Sequence, residues 1–389
     1  MIHRVLAARA LRSFADGFIS VVLPAYLLAL GLGTLEVGFL STATLLGSAC
    51  STLAVGRWGH RFSIRRLMLA ASLLMMATGL GFAGIGSFWP LLLVAFIGTL
   101  NPSSGDASVF MPLDHTMLAT APDRTSVFAR YSFTGSIAGA VGALASGIPD
   151  YVSLGRVDAL RLMFVAYAVV GMAVWLLYRG LPDPKVGESP APAALGPSRG
   201  IVLRLAALFS IDSFAGGLVL NSLLALWLFE RFGMSLAAAG AFFFWTGLLS
   251  ACSQLAAGPL ARRIGMVNTM VFTHIPSSLF LIGAALSSDL HLVLAFLLGR
   301  ALLSQMDVPA RGAFVMSVVT PAERPAAASF TAVPRSLASA LSPSLTGAMF
   351  AAGAMAAPLV ACGVLKIAYD IALFTAFRRT EGAMQPAQR

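Results

Sequence analysis

The chain has 389 residues, 58% hydrophobic and 11% charged, with 26 Lys and Arg against 16 Asp and Glu. Soluble domains carry about 25% charged residues, so the composition excludes an ordinary soluble enzyme, a disordered chain and a collagen-like one. The formal charge of +10 would suit a nucleic-acid binder only if the basic residues gathered on one face.

A membrane-spanning helix needs about 20 mostly apolar residues. That window predicts twelve spans, at 5–30, 36–56, 66–86, 88–112, 127–148, 158–179, 201–229, 236–259, 268–288, 291–319, 326–351 and 355–377. Helices are expected because lipid satisfies no backbone donors or acceptors, and the period-2 alternation of a membrane barrel is absent. The first span carries Asp16, close to its middle, and Tyr26. The fourth contains Asn101-Pro-Ser-Ser-Gly-Asp106, an irregular stretch tolerated at that depth only beside protein or a watery cavity. Asp106 and Asn101 are therefore site candidates.

A proline-rich stretch, 181–200, separates residues 1–180 from 201–389 and reads as a cytoplasmic linker. Beyond it, Asp212 lies in the seventh span, and the eighth contains Phe242-Phe-Phe-Trp245. These aromatics, with Phe18, Tyr26 and Trp227, could line an apolar pocket, although packing is the base expectation. His274 in the ninth span reads as structural. In the tenth, Arg300, Asp307 and Arg311 share one face. Asp307 and Arg311 can neutralise each other, whereas Arg300 has no partner in its own helix. Lys366 and Asp370 in the twelfth read as a local ion pair. An ionisable group at mid-membrane costs about 2.5–3.5 kcal/mol on insertion scales and faces a cavity or a partner. Protonation neutralises an aspartate, so Asp16 and Asp212 are candidates for proton coupling.

Arginine placement sets the expected orientation. With the N-terminus cytoplasmic, the outer loops receive only Arg156, Arg161 and Arg231, and most other basic residues fall inside. Both termini are thus expected in the cytoplasm, and no nucleic-acid partner is expected. The N-terminal apolar run exceeds a signal-peptide core and lacks an A-x-A site. Cys50, Cys252 and Cys362 lie inside apolar spans and form neither a disulfide framework nor a metal spacing.

The two halves repeat each other. Ser48–Gly56 and Ser250–Gly258 share seven residues in nine, and Asp16-x-Phe18 lies over Asp212-x-Phe214. Gly98 and Asp106 match Gly299 and Asp307; Arg124 and Gly147 match Arg324 and Gly347. An internally duplicated transporter places its substrate site at the repeat interface.

The loop Gly56-Arg-Trp-Gly-His-Arg-Phe-Ser-Ile-Arg-Arg66 resembles the G-x-x-x-D-(R/K)-x-G-(R/K)-(R/K) loop of the major facilitator superfamily. Gly258–Gly265 is a weaker copy, and His60 and Arg262 stand where the family has Asp. The resemblance implies an all-α integral membrane protein of twelve transmembrane helices in two pseudo-symmetric six-helix bundles. It also implies a gating role for Gly56, Arg61, Arg65 and Arg66, with Arg61 pairing to Asp114. Asp16 and Asp212 would line the cavity through helices 1 and 7. Gly142–Gly147 and Ser342–Gly347 are degenerate copies of an antiporter motif, while Gly135, Gly139 and Gly142 also fit close helix packing.

The expected activity is secondary transport by alternating access, most simply proton-coupled efflux of a small, largely apolar organic molecule. Uptake of a small organic anion held by Arg300 is the alternative. A membrane-embedded enzyme using Asp106, Asp114 and His115, or a binding-only receptor, would be the different-class alternative. No phosphate-binding loop, nucleophile elbow or metal motif is present, so neither cofactor nor metal is expected. The expected partners are a substrate, protons and the bilayer, with the chain a monomer. The Arg-rich, Lys-poor composition points to a bacterial inner membrane.

Overall fold

The computed structural model describes residues 1–103, 108–118, 123–182, 195–320 and 323–384. Asp106, the centre of the predicted linker, and the side chains of His60 and Arg124 lie outside the described residues. Among the described residues, regular structure is helical throughout.

Each predicted span holds one helix or a broken pair. The first three are α1 (Ile2–Ala29), α2 (Thr34–Trp58) and α3 (Ile64–Gly84). The fourth is divided into α4 (Phe88–Ile97) and α5 (Phe110–Leu118), followed by α6 (Arg124–Ala145) and α7 (Arg156–Arg179). The seventh is divided into α8 (Arg199–Gly217) and α9 (Asn221–Phe232), followed by α10 (Leu236–Ile264) and α11 (Met266–Leu286). The tenth is divided into α12 (Leu290–Leu303) and α13 (Asp307–Ser317), followed by α14 (Arg324–Ala351) and α15 (Ala357–Met384).

Among the described residues, nine stretches are long and apolar enough to cross a membrane: α1, α2, α3, α7, α8 with α9, α10, α11, α12 with α13, and α15. Helix α4 is short because the chain leaves the helix at Gly98. Helices α6 and α14 carry Gly, Ala, Ser and Thr where the others carry Leu, Ile and Val. Large apolar side chains face outward, including Val169 at 63% and Phe272 at 58% exposure. Lipid, rather than water, suits such a surface.

Side chains meet the backbone requirements at helix ends and breaks. Ser63 caps α3 by accepting from the Arg66 amide, and Asp289 caps α12 by accepting from the Leu292 amide. At the α4–α5 break, Asn101 Oδ1 accepts from the Ser103 amide and hydroxyl, and Thr78 Oγ1 accepts from the Thr99 amide. Gly233, at φ +61°, ends α9 in the left-handed conformation that glycine adopts without a Cβ penalty.

The chain forms two compact units. The first comprises Met1–Ser189, Leu220–Gly247 and Pro343–Gly353; the second comprises Pro190–Val219, Leu248–Ser342 and Ala354–Arg389. In the first, α1 packs on α6 and α7, α3 on α7, α2 on α4, and α9 on α1. The Ser222 amide donates to the Pro102 carbonyl, joining two helix breaks. A Cβ on Gly147 would come within 2.8 Å of Ala237, and Asp150 Oδ2 accepts from the Ala237 amide at 2.8 Å. In the second unit, α11 packs on α12, α13 and α15, and α8 packs on α15. Its apolar core includes Val202, Phe209, Met270, Phe314, Tyr369 and Phe377.

The sequence repeat recurs as a packing repeat. A Cβ on Gly17 of α1 would collide with the Gly139 carbonyl of α6. In the second unit, a Cβ on Gly217 of α8 would collide with the Ser339 carbonyl of α14, each residue 200 further on. Small residues are required wherever helix backbones approach this closely.

Candidate functional site

In the first unit, Arg12 of α1 forms an ion pair with Asp114 of α5. Tyr131 of α6 and Tyr178 of α7 donate to the same carboxylate, at 2.9 and 3.0 Å. Asp114 has no exposed surface and Arg12 is 3% exposed. The ring of Phe110 lies 4.2 Å from the Arg12 guanidinium, adding a cation–π contact. Four helices thus converge on one fully satisfied carboxylate. The next turn of α1 brings Asp16 to a cavity of about 10 Å³ with Arg9, Arg12, Thr99, Ser108 and Tyr167, space for about one water.

In the second unit, Asp212 of α8 accepts from Arg311 of α13 at 2.8 Å and from Lys366 of α15 at 2.6 Å. Arg311 also pairs with Asp307 one turn earlier. His274 of α11 has Nδ1 3.1 Å from both Asp370 oxygens and Nε2 3.3 Å from Lys366 Nζ. A neutral imidazole with its proton on Nδ1 meets both requirements, donating to Asp370 and accepting from Lys366. Asp212 Oδ1 lies 3.8 Å from His274 Nε2, so the acids and bases form one continuous network.

Several sequence-predicted residues sit elsewhere than expected. Asp114 is occupied by Arg12 and the two tyrosines, whereas Arg61 is exposed. Arg61 therefore has no place in that pair. Lys366 and Asp370 do not pair with each other: Lys366 reaches Asp212, and Asp370 reaches His274. Nor do Asp16 and Asp212 occupy matching places. The 200-residue frame of Gly17/Gly139 and Gly217/Ser339 puts Arg12 at the position of Asp212, one turn from Asp16. In this frame Arg12 and Asp212 take equivalent places with opposite charge, whereas Asp114 falls at Phe314, three residues from Arg311.

Tyr26 donates to the Phe82 carbonyl at 2.6 Å and ties α1 to α3. Asn101 is fully buried and committed to the α4–α5 break. Around the loop, Gly56 faces open space, Arg65 donates to the Arg179 carbonyl at 2.6 Å, and the Arg66 amide is capped by Ser63. Arg300 makes no ion pair among the described residues; Arg335 bonds through Nε to Ser213 at 3.1 Å. Sequence reasoning missed Arg12, Tyr131, Tyr178 and the joint role of His274, Lys366 and Asp370. By position alone Arg12 belongs with Arg4 and Arg9 among the basic residues near the N-terminus. Its depth in an apolar helix was the available signal.

Long apolar helices, three spans broken among the described residues and buried ion networks mark a multi-pass membrane protein. The chain belongs to the Major Facilitator Superfamily, whose family model matches residues 5–306. An uncharacterized membrane protein of Saccharomyces cerevisiae is 23% identical over 382 residues, covering 87% of this chain and 85% of the relative. The solved D-xylose–proton symporter is similar with TM-score 0.79 and 14% identity, covering 96% of this chain and 97% of the other. A bacterial homolog of the lysosomal transporter Spinster, inward-facing and occupied, gives 0.75 at 16% identity, covering 97% and 96%. The nucleoside transporter NupG gives 0.74 at 13% identity, covering 97% and 98%. At these identities the likeness establishes the shared fold.

Proposed function

We propose that this transporter is proton-coupled and works by alternating access, with residues 1–180 and 201–389 as the two moving halves and 181–200 as their linker. The observation that carries the reading is the network of Asp212, Lys366, His274 and Asp370, linked through distances of 2.6–3.8 Å within apolar helices. Ionisable groups at membrane depth are costly and mark proton relays or substrate paths. Asp16, beside Arg9 and Arg12 in a cavity for about one water, is the proton candidate in the other half, one turn from the position equivalent to Asp212. Gly56, Arg61, Arg65 and Arg66 belong in this reading to the cytoplasmic gate. The termini lie in the cytoplasm, and the membrane is a bacterial inner membrane.

Export of a small organic molecule is the preferred direction. Its support is the small-residue face of α6, where Gly135 meets Arg9, Gly142 meets Phe14, and Ala140 and Ala143 meet Gly247 and Gly240 of α10. Gly142 and Ala143 of that face fall within Gly142–Gly147, the degenerate copy of the antiporter motif, while Gly135 and Ala140 fit close helix packing. Uptake of a small organic anion is a second reading, favoured by Arg300, which lacks a carboxylate partner among the described residues.

Asp16→Asn and Asp212→Asn variants, reconstituted in liposomes, test the assignment. Flux driven by a pH gradient is expected to fall at least tenfold in each, while exchange of labelled for unlabelled substrate persists. Full gradient-driven flux in both variants would remove these residues from coupling.

A further inference from the structure

The second unit divides its charges unevenly. Asp212, Asp307 and Asp370 each face a partner: Arg311 and Lys366 for the first, Arg311 for the second, His274 for the third. Arg300 stands apart from this network. It is the eleventh residue of α12, about 15 Å along a helix that begins at Leu290, which puts it near mid-membrane. Ser277 of α11 donates to its backbone carbonyl at 3.4 Å. Ser278, one residue on, is 1% exposed, and its hydroxyl has no hydrogen-bond partner. Its carbonyl lies where a Cβ on Gly363 of α15 would come within 3.0 Å, so α11 and α15 meet closely beside Cys362.

An unpaired guanidinium is an unfavourable occupant of an apolar helix, while its planar fork matches a carboxylate in two parallel hydrogen bonds. We infer that Arg300 anchors a subsite for the single negative charge of a small organic acid. The inference rests on the transporter reading and names the chemical class of its substrate. One guanidinium balances one carboxylate, so a monoanion fits the subsite and a neutral isostere leaves the charge unanswered. Loss of a charge-assisted pair in a desolvated site is costly to binding, which makes the discrimination large.

The test uses the full chain, purified in detergent, with lactate, pyruvate and benzoate each paired with its neutral amide. A bound ligand raises the melting temperature, so both affinity and class are read without assuming transport. At least one carboxylate is expected to stabilise the wild type and bind at least tenfold tighter than its amide. Arg300→Gln should abolish that difference, and Arg300→Lys should retain part of it. If no acid in the set outperforms its amide on the wild type, the subsite is refuted, and that comparison does not depend on any variant folding. Equal preference for acids in wild type and Arg300→Gln would also overturn it. A liposome flux assay with the same compounds separates the two claims. Carboxylate binding at Arg300 without flux under any gradient would overturn the transporter reading and leave the anion subsite. Flux confined to the amides would do the reverse.

Discussion

Asp114 illustrates how one buried charge can be made structural. Three donors from three different helices satisfy it, and no surface is left for a substrate. Asp114→Asn keeps a polar group of similar shape but leaves the Arg12 charge buried without a counter-charge. Breaking a buried pair in this way costs about 3–5 kcal/mol, so melting of the purified variant should move down by several degrees. A melting temperature unchanged from wild type would contradict the structural role. Asp212 differs because Arg311 and Lys366 share it and Lys366 also approaches His274. In the proposed coupling, its pairing rearranges when a proton arrives. The charges themselves were legible in the sequence. Their partners were not, because Arg12 and Asp114 are brought together by tertiary packing, whereas Asp307 and Arg311 meet through helix periodicity alone.

Helix contacts give predictions of a different kind. Gly142 of α6 sits against the Phe14 carbonyl of α1 with no room for a side chain. Gly142→Leu must push two backbones apart, at about 3 kcal/mol or more, and should sharply reduce the yield of folded protein; wild-type yield and melting would contradict the contact. At the start of α14, outside the spans, Glu323 accepts hydrogen bonds from the Ser198 hydroxyl, Thr320, and the Gly196 and Ser198 amides. These bonds, led by Ser198, hold its carboxyl at about 2, below the usual 4.5. Because the folded value is the lower one, the contribution to stability is complete above about pH 4.5 and fades as pH falls towards 2. Amide exchange at Gly196 and Ser198 should therefore accelerate over that window, and in Glu323→Gln it should be fast at every pH. Exchange that ignores both pH and the substitution would sink this assignment. Apolar runs placed the helices to within a few residues, and Asn101-Pro102 announced the α4–α5 break. The breaks after Gly217 and Leu303 have no comparable proline signal. Packing of small residues, rather than local propensity, explains why α6 and α14 are less apolar than their neighbours.

At the scale of the whole molecule, the duplicated halves share close contacts at Gly17/Gly139 and Gly217/Ser339 and differ in the charges set around them. The sequence repeat revealed the duplication; only packing revealed that Arg12, rather than Asp16, corresponds to Asp212. In the proposed alternating-access cycle, the contact between Asp150 and the start of α10 opens as residues 1–180 and 201–389 move. A cross-link between cysteines at Asp150→Cys and Ala237→Cys should stop flux, and reduction should restore it. Full flux with the cross-link intact would contradict that requirement. The proposed mechanism couples substrate movement to proton movement. It is tested most directly by a pH-sensitive dye trapped in liposomes containing the purified chain, challenged with a compound that stabilises the protein. The account predicts a substrate-dependent change of internal pH that disappears in Asp212→Asn; substrate movement with no accompanying proton flux in the wild type would contradict it.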